Sequence, residues 1–357
     1  MTDRARCRRV AAVCLGIPWT TPHSSRVVPA RMGQKTLACS STSAITGAHP
    51  HNTLSAFPAT NTAPYILDGW QDLAGSKSMS DPVPAIAESE ATGSIAEIFA
   101  DIRSVYRVGV VNLIWRHLAT IPGGLPWVWT TARPLYADGT VGREATALRA
   151  GLSLPELPAW PTAALKSAGL QDGDITGIRT VLAAYDRTNA MALIAFLAVQ
   201  LRLEGAPPPL DAVAGHPASA SAEPVPDLPL PPLLALADMS PMAAELVLAI
   251  NGLGAIHRKP ILASMYRHLA HWPAYLALVW TALAPLDFDH RLDRAIEAAI
   301  AQARARAQCL AAELPTPLPA IRPLTARRIT RAIDRFTGDA IARMVVICSL
   351  LRRLTDS

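Results

Sequence analysis

Apolar residues in this chain recur with the period of a helix and not with that of a strand. Leu125, Val128, Trp129 and Ala132 stand at i, i+3, i+4 and i+7, and so do Leu276, Val279, Trp280 and Leu283, which puts each set on one face of a helix. The same spacing runs through Ile178 to Leu203 and Ile329 to Leu354. No run alternates β-branched with polar residues as a half-buried strand would. The pattern predicts an all-α protein. Its longest apolar runs, Tyr275 to Leu286 and Met191 to Leu201, fall short of the roughly 20 residues a bilayer span needs, and are expected as buried helices with no membrane partner.

The two stripes belong to a longer repetition. Setting Arg116 to Leu135 (RHLATIPGGLPWVWTTARPL) against Arg267 to Leu286 (RHLAHWPAYLALVWTALAPL) gives a constant offset of 151 with 11 of 20 positions identical, where chance gives roughly one or two. Arg107 and Arg258, Tyr185 and Phe336, Ile194 and Val345, and Arg202 and Arg353 follow the same offset. Pro122 and Pro273 are each expected in the first turn of a helix, where proline is tolerated. Residues 204–240 are too proline-rich for a helix and read as an extended linker. The expected organisation is a leader at 1–78, a first helical half at 79–203, the linker at 204–240 and a second half at 241–357. The halves should form a pseudo-twofold dimer within one chain, with a ligand cleft between them.

Composition narrows the function. Residues 1–78 hold eight Arg or Lys against three Asp or Glu, and the remainder holds 25 against 25. A neutral body offers no basic stripe for phosphates, so no nucleic acid partner is expected. The first 78 residues are rich in Ser, Thr, Ala and Pro without a sustained period, and Met79 reads as the natural start of the folded part. Cys309 and Cys348 form no CxxC or histidine-rich cluster, so neither a metal nor a cofactor is expected, and a reduced cytoplasmic setting is the simplest. His268 and His271 stand at i, i+3, and His117 is the repeat counterpart of His268. Because the pair recurs where one site is expected, these histidines read as structural, and Arg116 and Arg267 likewise read as groups that cap or bridge helices.

The segments EIFADIRSVYRV, WRHLATIPGGLPWVW, RTVLAAYDRTNAMAL and PILASMYRHLAHWPAYLALVWTALAPL together resemble the group I 2-haloacid dehalogenases over nearly all of 85–357. The resemblance implies an all-helical fold of two related halves, and hydrolysis of the carbon-halogen bond of 2-halocarboxylic acids by direct attack of water. It implies roles for particular residues as well. Asn189 matches the family's water-positioning asparagine, Ser264 a serine of the substrate site, and Val110 and Leu113 two aromatic residues that wall the pocket. Met265 occupies the position of the family's catalytic aspartate, and methionine cannot accept a proton. Asp186, three residues before Asn189, is the candidate substitute base, set against a salt bridge to Arg187 or Arg179. Two functions follow: hydrolytic dehalogenation with a replaced base, or an inactive or repurposed relative that binds a small halogenated or other short carboxylic acid in the cleft. A homo-oligomer is compatible with both.

Overall fold

The structure is a computed structural model, and it describes residues 83–107, 109–205 and 229–356. The leader 1–78 and the middle of the expected linker, 206–228, lie outside the described residues. Among the described residues there are helices and no strands. In chain order they are α1 (Gly93–Tyr106), α2 (Leu113–Leu118), α3 (Gly124–Ala137), α4 (Thr140–Ala150), α5 (Thr162–Ser167) and α6 (Asp172–Leu203). After the gap come α7 (Pro241–Gly252), α8 (Ser264–Leu269), α9 (Pro273–Phe288), α10 (Arg291–Glu313), α11 (Pro323–Arg335) and α12 (Ile341–Thr355).

Helix α6 is the axis of the molecule. It is long and apolar enough to cross a membrane, yet its apolar window is mostly buried inside the protein, where α12, α10 and α4 pack along it. The apolar face of α3 does what its spacing predicts: Leu125, Val128, Trp129 and Ala132 are all buried. Trp129 joins Tyr106, Trp115 and Tyr136 in an edge-to-face and stacked cluster, and Trp115 reaches Phe196 of α6 at 4.6 Å between ring centroids. Such aromatic pairs add about 0.5–1.5 kcal/mol each beyond burial. The indole nitrogens are satisfied: Trp115 donates to Tyr106 Oη at 2.9 Å and Trp129 to Asp101 at 2.7 Å. In α9, Leu276, Val279 and Leu283 are buried, while Trp280 is only half-buried at the edge of the core.

Two boundaries differ from the sequence expectation. Pro273 opens α9 in its first turn, but Pro122 lies in a turn before α3, which begins at Gly124 behind an N-cap Gly123 at φ 75°. The left-handed Gly123 redirects the chain, and a Cβ on Gly124 would sit 2.8 Å from that of Ile121, so the glycine pair displaces the helix start past the proline. The second difference lies in 329–354, which reads as one helix. It is broken by a π-helical turn, Phe336–Ala340, between α11 and α12. Within it Asp339 is buried and pairs with the fully buried Arg343 at 2.8 Å.

The described end of the proline-rich segment is strapped onto α8. His268 Nδ1 meets the carbonyl of Pro231 at 2.8 Å, His271 Nε2 that of Pro232 at 2.8 Å, and Arg267 Nε donates to the carbonyl of Leu234 at 2.7 Å. His117 holds the carbonyl of Pro84 in the same manner at 2.7 Å. The histidines thus hold extended segments against short helices, the structural role read from their duplication.

Candidate functional site

The site grows from the starts of two short helices. Val111 N donates to Glu88 at 2.8 Å, which fixes the extended residues before α2 so that Asn112, Leu113 and Ile114 enter it in sequence. Before α8 the brace is Arg343, whose Nη1 donates to the carbonyls of Asn251 and Leu253 at 2.5 and 3.2 Å. Asn251 Oδ1 in turn accepts from Ala263 N at 3.1 Å, and the chain enters α8 as Ala263, Ser264 and Met265. The middle of α6 supplies Tyr185 and Asn189, and the π-turn with the first turn of α12 supplies Phe336, Ala340, Ile341 and Met344.

These residues, with Ile261, line a small cavity of about 40 Å³, below the usual range of small-molecule pockets of roughly 300–1,000 Å³. Its wall is apolar except for Asn112, Tyr185, Asn189 and Ser264, and no Asp or Glu is among the described residues that line it. Of the residues singled out from the sequence, Leu113, Asn189, Ser264 and Met265 meet here. Val110 is buried nearby but is not in the wall.

Asp186 is turned elsewhere. Its carboxylate accepts from Arg149 at 3.0 Å, Arg352 at 2.8 Å and Ser349 Oγ at 2.5 Å, so an ion cluster tying α4, α6 and α12 holds it outside the wall of the cavity. Asp186 is thus salt-bridged, to Arg149 and Arg352, and Arg179 donates to the carbonyl of Thr355 at 2.7 and 3.1 Å. The periodicity put Asp186 and Asn189 near one face, but a long helix buried all round has neighbours on every side, and three residues of rotation separate cavity from ion cluster.

Met265 is fully buried, with its sulfur 3.2 Å from the thiol of Cys348. Asn189 Nδ2 lies 3.8 Å from the same thiol. Burial pushes the Cys348 thiol well above its ordinary range, so it is a neutral packing group and no nucleophile. Arg116 is buried and donates through Nη2 to Ser264 Oγ at 3.2 Å, across 148 residues of sequence. Burial also pushes the Tyr185 phenol up, keeping it protonated, and pushes His268 down to about 4, keeping it neutral. Among the described residues no group of three or more His, Cys, Asp or Glu could hold a metal ion.

Asn112 was missed in the sequence. It is buried, lines the cavity and donates through Nδ2 to Thr188 Oγ1 at 3.2 Å. The signal available was a lone amide inside the apolar run Val110 to Trp115.

No family model matches the chain. A curated relative described as a configuration-inverting 2-haloacid dehalogenase, from Alcaligenes xylosoxydans xylosoxydans, is 30% identical over 223 residues, 58% of this chain and 71% of the relative. Among solved structures, a D-2-haloacid dehalogenase mutant superposes with a TM-score of 0.59 at 17% identity, covering 77% of this chain and 97% of the other. A complex of a D-2-haloacid dehalogenase mutant with D-2-CPA does so with a TM-score of 0.53, covering 76% and 95% at 17% identity. At that identity the structures speak for the all-helical fold, while the relative speaks for descent, and the chain belongs to the 2-haloacid dehalogenase family.

Proposed function

We propose that the cavity binds a short 2-substituted carboxylic acid and that it does not carry the carboxylate-assisted attack of water by which such acids are dehalogenated. One observation carries this reading: Met265, which the resemblance sets at the position of the family's catalytic aspartate, lines the cavity, and no Asp or Glu is among the described residues of its wall. A water beside Asn189 could be held there, but its proton has no acceptor of carboxylate basicity. The absence of a general base costs about 10²- to 10⁴-fold in rate.

The proposed setting is two related halves packed about a pseudo-twofold axis, with the cavity on that axis. Five pairs of wall residues support it, each separated by 151 positions: Asn112 and Ala263, Leu113 and Ser264, Ile114 and Met265, Tyr185 and Phe336, Asn189 and Ala340. The ring contacts cross between halves in the same way, His117 with Phe336 at 5.4 Å and His268 with Tyr185 at 5.6 Å. In four of the five pairs one member is polar and the other apolar. Divergence after duplication would give such a cavity an uneven lining, with three of its four polar residues from the first half and Ser264 from the second, which suits an amphiphilic small acid.

The test is calorimetric titration with each enantiomer of 2-chloropropionate, with free halide followed in the same samples. Saturable binding with halide release at the uncatalysed rate is expected. Turnover at a rate typical of enzymes would overturn the proposal.

A further inference from the structure

Helices α7 and α9 present an apolar outer face. The sequence of α9, PAYLALVWTALAPLDF, carries no charged residue before Asp287, and a helix that is apolar all round is normally covered all round. Its inner side is covered: Tyr275, Leu276, Val279, Leu283 and Leu286 are buried, and α7 packs alongside. The outer side is not. Phe288 is 86% exposed, Met242 of α7 66%, and Ile256 of the loop after α7 71%, three of the four exposed large hydrophobic residues among the described residues. Gly254 N donates to Asp287 Oδ1 at 2.7 Å, which holds that loop against the end of α9 and brings Ile256 to the Phe288 end of the patch. The positions 151 residues earlier are polar. There α1 packs on α3, Trp129 Nε1 donates to Asp101, and Asp101 pairs with Arg133. In the second half Asp101 is replaced by Gly252, Arg133 by Ala284, Glu97 by Leu248 and Ala137 by Phe288. Three charges are lost and a phenyl ring is gained. Filling the core does not require this, since Gly252 and Phe288 stay exposed and Leu248 and Ala284 partly so.

We propose that this face is the interface of a homodimer, with α7 and α9 of one copy packing on α7 and α9 of a second about a twofold axis. Helices of 12 and 16 residues side by side present a footprint of about 400 Å², enough for the apolar centre of an interface of about 800 Å² per partner. The charges at its edge fit a second copy. Glu245, Asp287 and Asp289 are balanced by Arg258, Lys259 and Arg291, so two copies do not repel, and a twofold axis lets each sign meet the other. The same balance gives no pull towards an anionic lipid surface. None of these residues lines the cavity, so the interface is independent of what the cavity binds.

Sedimentation-velocity ultracentrifugation of the full chain, from about 1 to 100 μM, tests the proposal. The parent is expected to form a reversible dimer with a Kd of about 10 μM or tighter. Two variants place charge on the face. Phe288→Glu acts at its most exposed ring, and the pair Gly252→Asp with Ala284→Arg restores the Asp101 and Arg133 of the first half at a site where a Cβ on Gly252 meets nothing within 4 Å. Each should raise the Kd by about 100-fold or more, with helical content by circular dichroism unchanged, and either variant suffices if the other does not fold. A monomeric parent throughout that range, or a dimer that both variants leave intact, would overturn the proposal. So would a monomeric parent that co-sediments with vesicles of phosphatidylcholine and phosphatidylglycerol, which would give the face to a lipid surface.

Discussion

Single residues decide what this cavity can do, and the two groups that could have served as bases are both occupied by structure. Asp186 is surrounded by Arg149, Arg352 and Ser349. Removing its charge in Asp186→Asn takes the buried carboxylate from two guanidinium groups, and is expected to cost about 2–3 kcal/mol, allowing for the partial exposure of Arg352 and its second pair with Asp356. Urea denaturation should show that loss while affinity for a short acid stays within about twofold. An abolished affinity at unchanged stability would mean the carboxylate acts at the cavity. His268 is held neutral by burial, with its pKa near 4 against about 6.5 in an unfolded chain. The folded state therefore binds fewer protons between these values, and stability rises with pH across that window and is lost as pH falls through it. The slope should approach about 1.4 kcal/mol per pH unit for this one group. Thermal melts at several pH values should show it in the parent and not in His268→Asn, which keeps a donor for the Pro231 carbonyl. Ser264, Met265 and Asn189 could be placed in the wall because they stand in the segments SMYRHLAHWP and YDRTNAMAL that carry the resemblance. Asp186 and Asn112 could not, since helical spacing gives a side chain's direction but not which neighbour stands in that direction.

At the level of elements, the helices and their buried stripes were legible because the apolar period is strong, as in α3 and α6. The exceptions were set by backbone chemistry and a buried charge. Gly123 moved the start of α3, and the π-turn Phe336–Ala340 divided what reads as one helix. That turn matters to the site because Phe336 and Ala340 line the cavity while Asp339 anchors Arg343, which braces the approach to α8. Arg343→Met should leave Asp339 as an uncompensated buried charge and cost about 3–5 kcal/mol. The double variant Asp339→Leu with Arg343→Met removes both charges and should recover a large part of that loss. Chemical denaturation of the three proteins checks this, and a double variant no more stable than the single one would show that the hydrogen bonds to Asn251 and Leu253, not the pair, dominate.

For the whole molecule, the repeat at an offset of 151 set the expectation of two related halves, and the proposal of a pseudo-twofold arrangement is supported by the ring contacts and wall residues spaced by it. The axis helix α6 packs against α12 and α10 more than against its own half, so each half exposes a large apolar face when alone. Residues 83–205 and 229–356 produced separately should show little cooperative unfolding, and mixing them should restore a cooperative helical melt by circular dichroism. Independent folding of either half would contradict the shared core.

The most direct test of the central claim is halide release from 2-chloropropionate by the parent and by Met265→Asp, with the fold of each verified by circular dichroism. Release near the uncatalysed rate from the parent, rising by about 10² or more in the variant, is the expected result. Rapid release by the parent, unchanged or lost in the variant, would contradict the claim that this cleft is a haloacid site lacking its base.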